Sequence, residues 1–297
     1  MASKSRFASL VAAIVGAGFI TSGFAASTYQ FTASSSVAYG SGTSTVYYAN
    51  TSYSGQGGDP NLTISGAYAT NSSPTGNLTT ATWQTDSSAK SLSYSGGLGM
   101  GSDGTGSPNH AIDNNGNTEA VLLNFSNSVV LSGITLGYVS DNNSNTSADQ
   151  ADLSVFRWLG SNAPTGSPPL TGQVASTMVG WQLVGNYGDM FSGTGTSHKV
   201  NTGNANGLGT GGAGGLGSSW WLISAYNAGY TSTALETRGS LNNGNDYFKI
   251  FAVAGSACTS TKAGVCGPGT GVPEPASLAL VTLGLLGVAG SRRRRQK

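Results

Sequence analysis

The sequence predicts an all-β protein, a jelly-roll-like β-sandwich held between two apolar terminal segments. Three observations predict it. Short runs rich in Thr, Val, Ile and aromatic residues recur along the chain. Gly, Asn, Ser and Pro punctuate them. No long stretch carries the 3.6-residue apolar period of an amphipathic helix.

Taken in order, "STYQFTASS", "STVYYANTSY", "NLTISGAYAT" and "NLTTATWQT" read as four strands. "EAVLLNFSNSVVLSGITLGYVS" reads as at least two, broken near Asn127 and again near Gly133. "ADLSVFRWLG" alternates Leu153, Val155 and Arg157 against Ser154, Phe156 and Trp158, the period of a strand with two distinct faces. "GWQLVGNY", "SSWWLISAY" and "DYFKIFAVAG" complete the set. Many short strands between turn signals point to a sandwich, and no fixed repeat supports a β-helix. Residues 201–219, "NTGNANGLGTGGAGGLGSS", are too glycine-rich to pack and are expected to form a mobile loop. Gly207, Gly209 and Gly212 have GxGxxG spacing there, but without a flanking strand and helix that spacing is not a nucleotide site.

Charge is scarce and badly distributed. Charged residues are 8% of the chain, against roughly 25% in ordinary globular proteins. The formal net charge of +1 hides an asymmetry, because Lys4, Arg6, Arg292–Arg295 and Lys297 all lie at the ends. Between the ends remain six basic residues (Lys90, Arg157, Lys199, Arg238, Lys249, Lys262) and eleven acidic ones, a net of −5. A mildly acidic body excludes a nucleic-acid partner.

Both ends read as targeting segments. Residues 1–25 combine a positive start (Lys4, Arg6), an apolar run from Phe7 to Ile20 and a small-x-small step at Gly23-Phe24-Ala25, the three parts of a secretory signal cut after Ala25. The alternative is a buried N-terminal helix. At the other end, Pro273-Glu274-Pro275 leads into an apolar stretch carrying Leu278, Leu280, Val281, Leu283, Leu285, Leu286 and Val288, then Arg292, Arg293, Arg294 and Arg295. A helix from Ala276 to Ser291 would be about 24 Å long, within reach of a bilayer core of about 30 Å once the arginines snorkel. The basic tail sets its orientation, with the arginines cytoplasmic and the body outside. A soluble helix is the alternative, but only Ser277 and Thr282 give this one any polarity before Ser291. The organisation read from the sequence is therefore a signal peptide (1–25), a sandwich domain (26–254), a flexible stalk (255–271) and a C-terminal sorting segment (272–297).

"VPEPASLALVTLGLLGVAGSRRRR" resembles a PEP-CTERM sorting signal. The resemblance implies a Gram-negative, biofilm-forming source and recognition by exosortase, a membrane-embedded cysteine transpeptidase. Pro273, Glu274 and Pro275 would then be recognition residues, and Leu278 to Gly290 a temporary anchor in the inner membrane. A second likeness covers roughly residues 96–160. Gly97-Leu98-Gly99, His110-Ala111 with Asp113-Asn114, and an apolar strand ending in Phe125 are similar to the exosortase-dependent surface proteins. Their acidic step is altered here, since Asp149 and Asp152 stand three apart. No enzymatic activity attaches to that family, so the resemblance implies a non-catalytic protein of the cell surface or extracellular matrix, associated with exopolysaccharide.

Chemistry within the body has few candidates. Asp113, Asn115, Asn117 and Glu119 alternate oxygen ligands around Gly116, a pattern that calcium would accept. A plain hairpin turn explains the same residues. The loop "SDNNSNTSADQAD" would complete such a site or be a solvated connection. His110 and His198 are too few for a His-rich metal site, and no GxSxG elbow occurs. Asp141, Asp149, Asp152 or Glu236 could supply a carboxylate pair for glycoside hydrolysis, though most carboxylates sit in turn-like contexts; the residues favour a binding protein over an enzyme. Of the adjacent Trp220 and Trp221, one is expected to face outward and is a candidate for stacking on sugar. Cys258 and Cys266, the only cysteines, are expected to close a small disulfide in an oxidising compartment; two free thiols are the alternative.

Overall fold

The computed structural model describes residues 27–31, 33–38, 45–49, 52–53, 60–70, 78–86, 92–94, 96–100, 111–141, 150–160, 170–202, 215–242, 244–258 and 264–266. The signal peptide with Ala25, the sorting segment, His110, Asp149 and the GxGxxG glycines lie outside the described residues. Among the described residues the protein is all-β, and no helix is long and apolar enough to cross a membrane.

The strands, in chain order, are β1 (Ser27–Gln30), β2 (Ala33–Ala38), β3 (Thr45–Ala49), β4 (Ser52–Tyr53), β5 (Leu62–Ala69), β6 (Trp83–Asp86), β7 (Leu92–Tyr94) and β8 (Gly97–Gly99). They continue as β9 (Ile112–Asp113), β10 (Thr118–Asp141), β11 (Gln150–Trp158), β12 (Trp181–Phe191), β13 (His198–Lys199), β14 (Gly217–Ala225), β15 (Glu236–Arg238) and β16 (Asp246–Ala257). All join one mixed hydrogen-bonded sheet whose main path is β15-β12-β11-β14-β10-β16-β8-β7-β3-β2. Among the described strands only β12 and β15 pair in parallel.

β10 organises the sheet. The segment expected to break near Asn127 and Gly133 is one strand of 24 residues. Its first part, Thr118–Phe125, lies between β5 and β14, and its second, Val129–Asp141, runs along β16. The residues that read as breaks mark register shifts, between Asn124 and Val129 and between Leu131 and Gly133. Such bulges bend a strand without ending it. At Gly133 a Cβ would come within 2.4 Å of Ser197 Oγ, so a larger residue there would have to turn that hydroxyl aside.

Alternation along the central strands builds two apolar clusters. Val121 and Leu123 of β10, Leu153 and Val155 of β11, and Trp221 and Ile223 of β14 enter the first. Leu122, Phe156 and Leu222, their neighbours in sequence, enter the second. Successive side chains point to opposite faces, so the middle of the sheet is buried on both sides. Residues from both parts of β10, from Val121 to Val139, meet in the first cluster. The bend therefore wraps the strand around a shared core.

Other differences from the sequence reading concern small elements. Gly97-Leu98-Gly99, part of the likeness to surface proteins, is strand β8, with Leu98 opposite Ile250 and fully buried. A Cβ on Gly97 would lie 2.3 Å from Ile250 O, so glycine is what allows that approach. In "NLTTATWQT" only its last residues enter a strand, β6, while Leu78–Thr80 form a turn. The glycine-rich loop ends earlier than expected: Gly217–Ser219 begin β14. The stalk begins later, because β16 continues through Gly255 to Ala257 and pairs with both β1 and β10.

Candidate functional site

The PEP-CTERM-like tail leaves a body whose two ends are tied by different chemistry. At the end where the chain exits, Cys258 and Cys266 form a disulfide with Cα atoms 5.6 Å apart. The described residues at the two ends of the loop it closes, Cys258 and Gly264–Cys266, are docked on the sheet. Gly217 N donates to Val265 O (2.7 Å), Cys258 N donates to Ser128 O (2.8 Å), and Val265 is buried.

Arg157 holds this loop from beneath. Only 4% exposed, it donates through Nη1 to Val265 O (2.9 Å) and Gly217 O (3.2 Å), through Nη2 to Gly264 O (2.9 Å), and through Nε to Gln182 Oε1 (2.7 Å). A guanidinium carries five N–H donors and no acceptor, which suits it to a site where several carbonyls converge. Burial pushes the Arg157 pKa down to about 10. Within the segment expected as a flexible stalk, Gly255–Cys258 and Gly264–Cys266 are thus held to the body.

The opposite end collects acids and amides. Asn114 Nδ2 donates to Tyr226 O (2.8 Å), Asp246 Oδ2 (3.0 Å) and Gly244 O (3.3 Å), and its Oδ1 accepts from Asp246 N (2.8 Å). Asp246 Oδ1 accepts from Asp152 N (2.7 Å). Asp152 in turn accepts from Asn242 N (2.7 Å) and Asp189 N (3.1 Å). Asn114, Asp152 and Asp246 are all buried. Two segments noted for their likeness to surface proteins, the His-Ala-x-Asp-Asn turn and the step at Asp152, are therefore joined through Asp246. Nothing in the local sequence marks Asp246 as their link.

Of the four residues read as calcium ligands, two are brought together. Asp113 and Glu119 are buried and meet, since Asp113 N donates to Glu119 Oε2 (3.3 Å). Asp113 Oδ1 accepts from Asn115 N (2.9 Å), a side chain bonding its own turn. Asn115 and Asn117 are half-buried. Among the described residues no three His, Cys, Asp or Glu side chains gather as a metal-ligating group.

The remaining candidates fall into separate places. Glu236 accepts from Tyr187 Oη and from Thr202 Oγ1 (2.8 Å), and Arg238 lies 3.9 Å from it. Burial, then the neighbouring Glu236, holds the Tyr187 phenol well above its usual range. This network anchors the start of the glycine-rich segment, where Asn201 also bridges Leu131 O and Leu216 O. Trp221 is fully buried and donates through Nε1 to Val129 O (3.1 Å), whereas Trp220 is half-buried beside the second cluster. Burial also pushes Lys249 down to about 8, with Nζ 5.4 Å from the Tyr138 ring centroid.

No curated protein and no solved structure matches the chain. One family model does: residues 271–295 match the PEP-CTERM protein-sorting motif. The matched segment begins a few residues beyond the docked Cys266. Residues 271–295 are therefore a PEP-CTERM sorting motif, and the motif implies an exported, membrane-anchored precursor that an exosortase-type enzyme processes to the cell surface.

Proposed function

We propose that this chain is a non-catalytic surface protein whose folded β body is the cargo and whose tail is the removable tether. The body crosses the inner membrane behind residues 1–25, is held by Leu278–Val288, and is cut near Pro273–Pro275. It then associates with extracellular polysaccharide in the surrounding matrix. The observation that carries the reading is the sorting-motif match at residues 271–295.

The body's own chemistry supports a cargo role. Asp152, Asp246 and Glu236 accept hydrogen bonds that hold loops in place. We also read the sheet as the two layers of a sandwich, on the support of the cluster that both parts of β10 share. The turn at Asp113–Glu119 is read as a hairpin closure. Polysaccharide contact is supported by Trp220, whose half-buried indole lies at the margin of the second cluster; exposed aromatic faces stack on apolar sugar surfaces.

Intact-mass analysis of the mature protein tests the processing. The wild-type chain should end near Pro273–Pro275, and replacing all three motif residues by Ala should leave Lys297 in place. A wild-type product still ending at Lys297 would falsify the reading. Binding of the mature protein to isolated exopolysaccharide tests the partner, and Trp220→Ala should weaken it.

A further inference from the structure

The end of the body from which the tail departs carries an apolar tip. β11 ends at Trp158, and Leu159 N donates to Gly180 O (2.9 Å), just before β12 begins. Leu159 is 41% exposed and Val179 78% exposed. Behind them the Trp158 and Trp181 rings lie 5.5 Å apart. A Cβ on Gly180 would come within 2.3 Å of the Trp158 ring, and one on Gly160 within 2.4 Å. The two glycines therefore make room for the indole to support the tip.

This tip adjoins the docked exit loop. Ser218 Oγ donates to Trp158 O (2.9 Å), and the adjacent Gly217 bridges to Cys266. The N-terminal side arrives at the same end, because Ser27 pairs with Gly255 near the finish of β16. Both chain segments with membrane-inserting character therefore join the body here. Beyond Cys266, the nine residues from Gly267 to Pro275 span at most about 30 Å fully extended.

From this geometry we infer that Leu159 and Val179 form a membrane contact that seats the tip of the precursor on the bilayer holding its tail. The inference rests on the anchored-precursor reading above. Two apolar side chains would bind weakly to lipid from solution. A tether this short makes the contact intramolecular, at an effective concentration on the order of millimolar. The seated body would present Pro273–Pro275 at the membrane surface, where a membrane-embedded enzyme works.

The test uses full-length precursor reconstituted in phosphatidylethanolamine/phosphatidylglycerol vesicles doped with brominated lipid. A Trp is introduced at one of two exposed positions, Val179→Trp at the tip or Phe191→Trp at the far end of β12. Both variants should float with the vesicles, and bromolipid should quench most of the added emission at 179 and little at 191. Adding Leu159→Ser should reduce quenching at 179 while the far-ultraviolet circular dichroism stays unchanged. Protein that does not float overturns the anchoring reading and this inference with it. Floating protein with equal quenching at both positions overturns the inference alone. So does emission at 179 that changes with protein density but not with bromolipid, which would assign the tip to a second copy of the chain.

Discussion

The two ends of the sheet solve one problem with opposite charges. At the exit end, a buried cation collects the carbonyls of an irregular loop: Arg157 holds Gly217, Gly264 and Val265. At the far end, buried carboxylates and an amide collect backbone N–H groups: Asp152, Asp246 and Asn114 hold Asp189, Asn242, Asp152 and Asp246 itself. A buried backbone group without a partner costs about as much as a lost hydrogen bond. A chain with so few charges places three of its rare ones where loops cannot bond themselves. The sign follows from which backbone atom is left over. The exit end adds a covalent link; the acidic end relies on a network with several members.

The comparison breaks most sharply at Arg157. Arg157→Ala removes one donor group from three carbonyls and Gln182, and should destabilise the mature body by about 4 kcal/mol in urea denaturation. It should also open the Cys258–Cys266 loop to proteases. Asp246→Ala should cost about 3 kcal/mol, because Asp152 N loses its acceptor and Asn114 Nδ2 loses one of three. That loss should be felt in hydrogen exchange at Asn242 and Asp189, well away from the disulfide. Replacing both cysteines by Ser should cost about 2.5 kcal/mol, the loop-entropy value for a separation of eight residues. If Arg157→Ala proved milder than the cysteine replacement, the loop would be held by its covalent link and not by the cation.

The smallest effect concerns another buried charge. Lys249 is lowered to about 8 from 10.5 by burial. Between those values the unfolded chain binds the proton that the folded chain releases, so stability should rise as pH increases from 8. Tyr187 and Tyr230 are raised by burial, so above about pH 10 their ionisation in the unfolded chain opposes further gain. The window is therefore pH 8 to 10, with a gain on the order of 1 kcal/mol after screening. Lys249→Met should flatten the slope in pH-dependent thermal melts.

Sequence periodicity made the strand class and the two faces of β11 and β14 legible. Trp220 and Trp221 do separate, with Trp221 in the core and Trp220 at the margin. The sorting tail was legible because its parts are local and contiguous. The polar nodes were not, because their members are distant in the chain. Asn114 and Asp246 are 132 residues apart, and Arg157 and Val265 are 108 apart. Read locally, Asp113, Asn114 and Asp152 resemble turn residues, and Arg157 resembles one more residue of an alternating strand. The continuity of β10 was hidden for a different reason: Asn127 and Gly133 look like breaks, and only partners on both sides can make them bulges.

The pairing of Ser27–Gln30 with Gly255–Ala252 has a consequence for export. Among the described residues β1 pairs as a strand with β16, so in a body exported unfolded and N-terminus first that pairing would wait for the last strand to follow. Closure by so long a loop is slow, so the seam would be among the last to be sewn. The finished seam would thus report that passage is complete, moments before the tail behind it is due to be cut.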